Sequence, residues 1–328
     1  MIHGGYVWSG KKPSEWVDFS ANLRPDGPFP WIKNIVSTAL EKAGYYPDPE
    51  MKRARKGLAA FLDLPCECVL PAAGGIAAID LALSLSGGCV YTMPPTFSEY
   101  DQRAGIRGRP YEAWTGKCRK GDTLVVCNPN NPTGSILARE ELLHLWRRLA
   151  ANGGEMLIDE AFIEYSPDHS MRSLVRSGMI IVGSMSKVLG TPGIRLGYLC
   201  AAPETIQALQ SRMFPWPLDV FASEIAAQLP SYAGAIRADA GLNAGRRNAF
   251  AGKLQEIGAE VYPSQSNFLL VDFHRDMSRI AEELKSRGIL VRTCASFGLP
   301  DSFWRLAVKT ETENNTLIRE LEECLHVR

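Results

Sequence analysis

An α/β fold is predicted, with a sheet covered by helices and then a smaller α+β unit. Three observations predict it. From about residue 75 to 200, short apolar β-rich runs alternate with amphipathic stretches. Those runs are apolar throughout instead of at every second position, the pattern of strands buried on both faces. Beyond about residue 257 the order of elements changes, with strands following one another directly.

The first 45 residues are rich in Pro and Gly; such a segment buries little alone and is expected to lie across another surface. Ile76 to Leu85 reads as the first helix of the alternating region, followed by a strand at Cys89–Met93. Strands are expected at Thr123–Cys127, Met156–Ile158, Met179–Val182 and Leu196–Cys200, with a helix at Arg139–Ala151 between the first two. Two further helical patterns cover Asp219–Gln228 and roughly Ala233–Ile257. The tail reads as strand (Phe268–Phe273), helix (Ser278–Arg287), strand (Ile289–Thr293), strand (Trp304–Val308) and helix (Glu313–Leu325). No internal repeat or low-complexity segment interrupts this order.

At 328 residues the chain is long enough for two domains with a deep site between them. Thirty-six basic residues balance thirty-six acidic ones, so no global field favours nucleic acid or an anionic membrane, and an anion must be bound locally. No run approaches the roughly 20 apolar residues of a membrane helix, and the first residues carry no basic-then-apolar signal, so a cytoplasmic protein is expected. Eight cysteines are scattered, and the closest pair, Cys66 and Cys68, lacks the two-residue spacing of zinc or redox motifs. Reduced thiols and no metal are expected.

Three segments carry chemistry, each at the end of an apolar run. Ser184-Met185-Ser186-Lys187 places an amine after a buried strand, flanked by hydroxyls and followed eight residues later by Arg195. That suits a desolvated lysine beside a bound phosphate, although a surface lysine after an edge strand has the same local pattern. Asn128-Pro129-Asn130-Asn131-Pro132-Thr133-Gly134 is a loop stiffened by two prolines, able to aim the Asn131 amide. Leu157-Ile158-Asp159-Glu160-Ala161-Phe162 ends a strand on a carboxylate, which is costly to bury without a cation.

Asn131, Asp159, Lys187 and Arg195, in that order and spacing, resemble the fold-type I pyridoxal 5'-phosphate (PLP) enzymes related to aspartate aminotransferase, over nearly the whole chain. The resemblance implies a large domain with a mostly parallel, seven-stranded sheet plus a smaller α+β domain, divided as an arm and part of the small domain (1–43), the large PLP-binding domain (44–230) and the small C-terminal domain (231–328). It implies that Lys187 carries PLP as a Schiff base, Asp159 pairs with the pyridine nitrogen and Asn131 bonds the ring hydroxyl. Ser184, Ser186 and Arg195 would surround the cofactor phosphate, with backbone donors from Gly75 and Ile76 at a helix start. Phe97 falls where the family stacks an aromatic ring on the pyridine, and Tyr46 matches a tyrosine that reaches the phosphate of the neighbouring subunit's cofactor, which implies a homodimer.

Within this group the chain is similar to two kinds of enzyme, histidinol-phosphate aminotransferases and the threonine-phosphate decarboxylases of cobalamin biosynthesis. His3-Gly4-Gly5, Asp18-Phe19-Ser20-Ala21-Asn22, Phe97-Ser98-Glu99-Tyr100, Pro215-Trp216-Pro217, Val291-Arg292-Thr293-Cys294 and Trp304-Arg305-Leu306-Ala307-Val308 look like the decarboxylase. Phe162 stands where aminotransferases of this group usually carry a tyrosine that hydrogen-bonds the ring oxygen. By resemblance Arg305 receives the substrate carboxylate, Arg292 helped by His3 receives its phosphate, and Asn22 belongs to the same substrate set. The implied reaction is decarboxylation of L-threonine O-3-phosphate or L-serine O-phosphate, with amino-group transfer to or from a phosphorylated amine such as histidinol phosphate as the alternative. Two departures stand out: the phosphate loop reads Ala72-Ala73-Gly74-Gly75-Ile76 without its usual hydroxyl, and Tyr6 follows His-Gly-Gly where the decarboxylase has asparagine.

Overall fold

A computed structural model describes residues 3–8 and 10–326. The amino-terminal segment holds strand β1 (Val17–Asp18) and helix α1 (Pro30–Ala39), which starts on a proline and buries Ile32, Ile35 and Ala39 along one stripe. Helix α2 (Lys52–Leu62) leads to β2 (Val69–Ala72), α3 (Gly75–Leu83), β3 (Val90–Thr92), α4 (Glu99–Ile106) and β4 (Tyr111–Ala113). There follow β5 (Thr123–Cys127), α5 (Arg139–Ala150), β6 (Glu155–Asp159), β7 (Met179–Ser184), the single turn α6 (Met185–Val188), β8 (Gly197–Cys200) and α7 (Pro203–Gln210). The long helix α8 (Val220–Glu256) precedes β9 (Glu260–Val261), β10 (Phe268–Asp272), α9 (Ser278–Ser286), β11 (Ile289–Leu290), β12 (Arg292–Thr293), β13 (Phe303–Ala307) and α10 (Glu311–His326).

Seven strands form the large sheet in the order β2-β8-β7-β6-β5-β3-β4. All run parallel except β8, which is antiparallel to both neighbours. β5 and β8 are buried along their whole length and β6 and β7 almost so, because helices cover both faces. The second sheet, β12-β13-β10-β9, is antiparallel and packs Leu269, Val271, Trp304 and Leu306 against Phe250, Leu254, Leu284, Leu317 and Leu321. β1 pairs in parallel with β11, and Phe19 joins this second core, so the amino-terminal arm belongs partly to the small unit.

The structure departs from the expected elements in several places, α2, α4, α7, β1 and β9 being additions that the sequence reading lacks. The helices expected at Asp219–Gln228 and Ala233–Ile257 are one, running through Pro230, with Asp219 capping it by accepting from the Ala222 amide at 2.7 Å. A buried stripe carries it past the break: Ala222, Ile225, Ala226, Leu229, Ile236 and Ala240 sit in the large core, Phe250 and Leu254 in the small one. The single strand expected at Ile289–Thr293 is two, β11 on β1 and β12 on β13. β2 and the exposed edge strand β4 add to the strands foreseen. The arm also carries a helix of its own. We propose that the domains part along α8, the one element shared by both cores.

Candidate active site

Parallel strands deliver their carboxyl ends to one edge of the sheet, the usual place for a ligand crevice in an open α/β fold. β6 ends on Asp159, β5 opens into the loop holding Asn131, and β7 passes through Ser184 into α6 with Ser186 and Lys187. β3 leads to Phe97, β2 leads to Gly74 and Gly75, and the antiparallel β8 begins two residues after Arg195. A cavity of about 360 Å³ lies at that edge, lined by His3, Asn22, Gly75, Ile76, Phe97, Asn131, Asp159, Ser184, Ser186, Lys187, Arg195, Arg292 and Arg305. Every candidate side chain except Tyr46 therefore meets in one compartment. Tyr46 is 81% exposed and stacks on Trp216 at 4.6 Å, away from this cavity.

Lys187 is largely buried, and burial pulls its ammonium down to about 8, with Arg305 and Arg195 pulling the same way against the opposing field of Asp159. A substantial neutral fraction at physiological pH is what a nucleophilic amine needs. Asp159 is pushed upward by burial and held back by two donors: the Tyr100 hydroxyl at 2.6 Å on Oδ2 and the Ala161 amide at 2.9 Å on Oδ1. Tyr100 is wholly buried, and burial beside Asp159 keeps its phenol protonated.

An anion cradle sits opposite. Gly74 precedes α3 with φ +86°, and a Cβ there would lie 2.6 Å from Nη2 of Arg195, so only glycine lets that guanidinium close on the helix start. The amides of Gly75 and Ile76 open α3, where the helix dipole favours negative charge. Ser186 Oγ is buried without a hydrogen-bond partner. A phosphate supplies what this orphaned hydroxyl and the free helix start require, even though Gly75 replaces the usual side-chain hydroxyl.

At the other end of the cavity Arg292 and Arg305 face each other directly across β12 and β13. Both are buried, which lowers both guanidinium pKa values, Arg305 to about 10 with Arg292 as the second cause. Arg305 donates to Asn131 Oδ1 at 2.7 Å and to the Ser20 carbonyl at 2.6 Å, and its Nε has no partner. Arg292 donates to Ser296 Oγ at 2.6 Å and lies over the Phe297 ring. Two like charges opposed in a desolvated strand pair repel, and an anion between them would relieve that repulsion. Asn22 is 2% exposed with its Oδ1 unpaired. Asn131 has its oxygen committed to Arg305, which leaves its amide nitrogen to donate to a ring oxygen.

The amino-terminal arm closes this end. A Cβ on Gly4 would collide with the Ser20 carbonyl, the Gly5 amide donates to Ser20 Oγ at 2.8 Å, and His3 Nε2 lies 2.8 Å from Glu99 Oε1 and edge-on to Phe97. Phe162 lines the cavity, 6% exposed and edge-on to Phe268. Tyr100, Glu99 and Ser20 were quoted in the sequence only as parts of longer segments. Their contacts join positions far apart in the chain, and only the Phe97-Ser98-Glu99-Tyr100 run hinted at two of them.

Cradle, carboxylate and amine together fit pyridoxal 5'-phosphate: Ser186, Arg195 and the start of α3 for the phosphate, Asp159 for a protonated ring nitrogen, and Lys187 for the aldehyde. The family model for aminotransferase class I and II matches residues 14–321. Histidinol-phosphate aminotransferase of Moorella thermoacetica is 27% identical over 94% of this chain and 85% of its own length. Threonine-phosphate decarboxylase of Salmonella typhimurium is 26% identical over 98% of this chain and 96% of its own. The crystal structure of histidinol-phosphate aminotransferase from Clostridium acetobutylicum superposes with a TM-score of 0.84 at 26% identity, covering 93% of this chain and 98% of that one. The fold is that of the PLP-dependent aminotransferases, PLP is the cofactor, and the chain belongs to the aminotransferase class I and II family.

Proposed function

We propose that the pocket takes a small phosphorylated amino acid, L-threonine O-3-phosphate or L-serine O-phosphate, and removes its carboxylate to give an amino-alcohol phosphate for cobalamin biosynthesis. The observation that carries this is the buried pair Arg292 and Arg305. Two guanidinium groups on one strand pair match one molecule with two anions, a carboxylate on Arg305 and a phosphate on Arg292. His3 sits at the arm's end of the same cavity and assists Arg292.

Bound PLP supplies an electron sink for the pair of electrons left at the substrate Cα. Lys187 contributes the amine that holds the cofactor and, once displaced by substrate, a proton for Cα. Asp159 holds positive charge at the ring nitrogen, and Asn131 donates to the ring oxygen. Arg305, fixed by Ser20 and Asn131, would hold the substrate carboxylate and so select, by orientation, which bond at Cα is labile. Gly4 and Gly5 pack on Ser20 and so lay the arm along this side of the pocket.

Amino-group transfer on histidinol phosphate or a similar compound is the second reading, and the relatives weigh toward it, since most bear the histidinol-phosphate aminotransferase name. Against it stands Phe162, which brings no hydroxyl to the ring oxygen. We place the working enzyme in the cytoplasm, as a homodimer in which Tyr46 reaches the partner's cofactor, with neither nucleic acid nor membrane as partner; among the described residues no helix is long and apolar enough to cross a membrane.

The test mixes PLP-loaded protein separately with O-phospho-threonine, O-phospho-serine and histidinol phosphate, each with and without 2-oxoglutarate. Carbon dioxide from a phosphorylated amino acid without any keto acid is the expected result. Turnover that requires 2-oxoglutarate and releases glutamate would overturn decarboxylation in favour of amino transfer.

A further inference from the structure

We propose that Tyr100 is a positioning residue for the cofactor: its hydroxyl, bonded to Asp159 Oδ2, orients that carboxylate and holds it ionised against the pyridine nitrogen. The inference rests on the placement of Asp159 at the ring nitrogen and goes beyond it by naming the group that makes a fully buried aspartate serve there.

Asp159 lies at the end of β6, 5% exposed, among apolar strands. Left alone in such surroundings a carboxyl group takes up a proton and becomes neutral. Two donors oppose that, one to each oxygen: the Ala161 amide at 2.9 Å on Oδ1 and the Tyr100 hydroxyl at 2.6 Å on Oδ2. The backbone donor is available to any residue at 161 except proline, but the hydroxyl comes from a side chain on a different element, α4. Bonds from both sides fix the rotation of the carboxylate plane, so its remaining lone pairs have one direction to point. Tyr100 is itself held: it is wholly buried, its ring meets Phe97 edge-on at 5.6 Å, and the Cys127 thiol neighbours its hydroxyl from the strand position paired with Asp159. The phenol, buried away from bulk solvent, thus has the Asp159 carboxylate as its charged acceptor. Because Phe97 is the ring expected over the pyridine, one short helix start places both the stacking ring and the tether of the aspartate below it.

If the hydroxyl is removed, one of the two donors that favour the carboxylate over the acid is lost, and the attraction between ring cation and anion weakens. The effect is specific to a cofactor that has a ring nitrogen. The test therefore titrates apoprotein with PLP and with 1-deaza-PLP, in which carbon replaces that nitrogen, following bound cofactor by absorbance and checking the fold by thermal melting. Wild-type protein is expected to prefer PLP. Tyr100→Phe is expected to lose about tenfold in PLP affinity, the scale of one hydrogen bond to a buried charge, with 1-deaza-PLP binding unchanged. In an Asp159→Asn background, Tyr100→Phe is expected to leave the ratio of the two affinities where Asp159→Asn alone puts it. A Tyr100→Phe protein that weakens toward both cofactors equally, or keeps the wild-type preference, overturns the inference. Wild-type protein that binds both equally instead overturns the placement of Asp159 itself, which separates the two failures.

Discussion

Lys187 shows how a single side chain can be kept at the expense of stability. Its amine is held near 8 when folded and near its ordinary 10.5 when unfolded, chiefly because burial disfavours the ammonium. Below pH 8 both states carry the proton and the folded state bears the full cost of the buried charge. Between about 8 and 10.5 the unfolded chain binds more protons, so folding gains stability as pH rises through that window. Lys187→Met should therefore stabilise the apoprotein at pH 7 by about 2 kcal/mol, an advantage that shrinks toward pH 10, as urea denaturation at both values would reveal. An equal gain at both would show packing, not charge, as the cause. Lys187, Asp159 and Asn131 were legible in the sequence because each comes after an apolar run, so its place beyond a strand end is written locally, and Arg195 because it follows Lys187 by eight residues and leads into the next apolar run. Tyr100 and Glu99 were not, because what makes them matter is a partner 59 residues away in one case and the tip of the chain in the other. Nor could local pattern show that Arg292 and Arg305 are opposed in register, which requires the strand pairing.

The covered central strands were read well, but α2, α4 and α7 were missed, α2 although it buries Leu58, Phe61 and Leu62 along one face. β2 is four residues long and contains Pro71, while β4 is exposed at all three positions and lies on the sheet edge, so neither carries the pattern of a covered strand. Pro230 lies in the gap between the two helices expected from the sequence, yet an apolar stripe on both sides of it outweighs one missing backbone bond. The seam between α2 and α8 has its own requirement. A Cβ on Gly57 would overlap the carbonyl of Ala226 and the backbone of Ala227, so the two helices touch only because that position is bare. Gly57→Ala gains about 1 kcal/mol in helix propensity but must force backbones apart at a cost of about 3 kcal/mol. A net loss of about 2 kcal/mol in chemical denaturation is expected, and a variant as stable as wild type would mean the seam gives freely.

On the scale of the whole molecule, the pocket belongs to neither core alone: Asp159 and Lys187 come from the large sheet, Arg292 and Arg305 from the small one, and Ser20 and His3 from the arm. Tyr46, exposed and outside the pocket, is the residue proposed to reach a second chain. If it completes the partner's site, mixing Lys187→Ala protomers with Tyr46→Ala protomers should yield hybrids with one intact site, and tight PLP binding should return in the mixture. Mixed protein that binds no better than Tyr46→Ala alone would argue against shared sites. The arm has a further consequence. Val17 pairs with Ile289, the Phe19 carbonyl accepts from the Ala307 amide, the Ser20 carbonyl takes Arg305, and the Arg24 amide bonds the carbonyl of Lys187. Residues 17–20 are thus bound to residues 289–307, over sequence separations that slow folding. The bond from Arg305 to the Ser20 carbonyl spans 285 positions and closes a far longer loop than the pairings inside the large sheet, so in refolding this end of the pocket is expected to assemble after the sheet that carries Lys187.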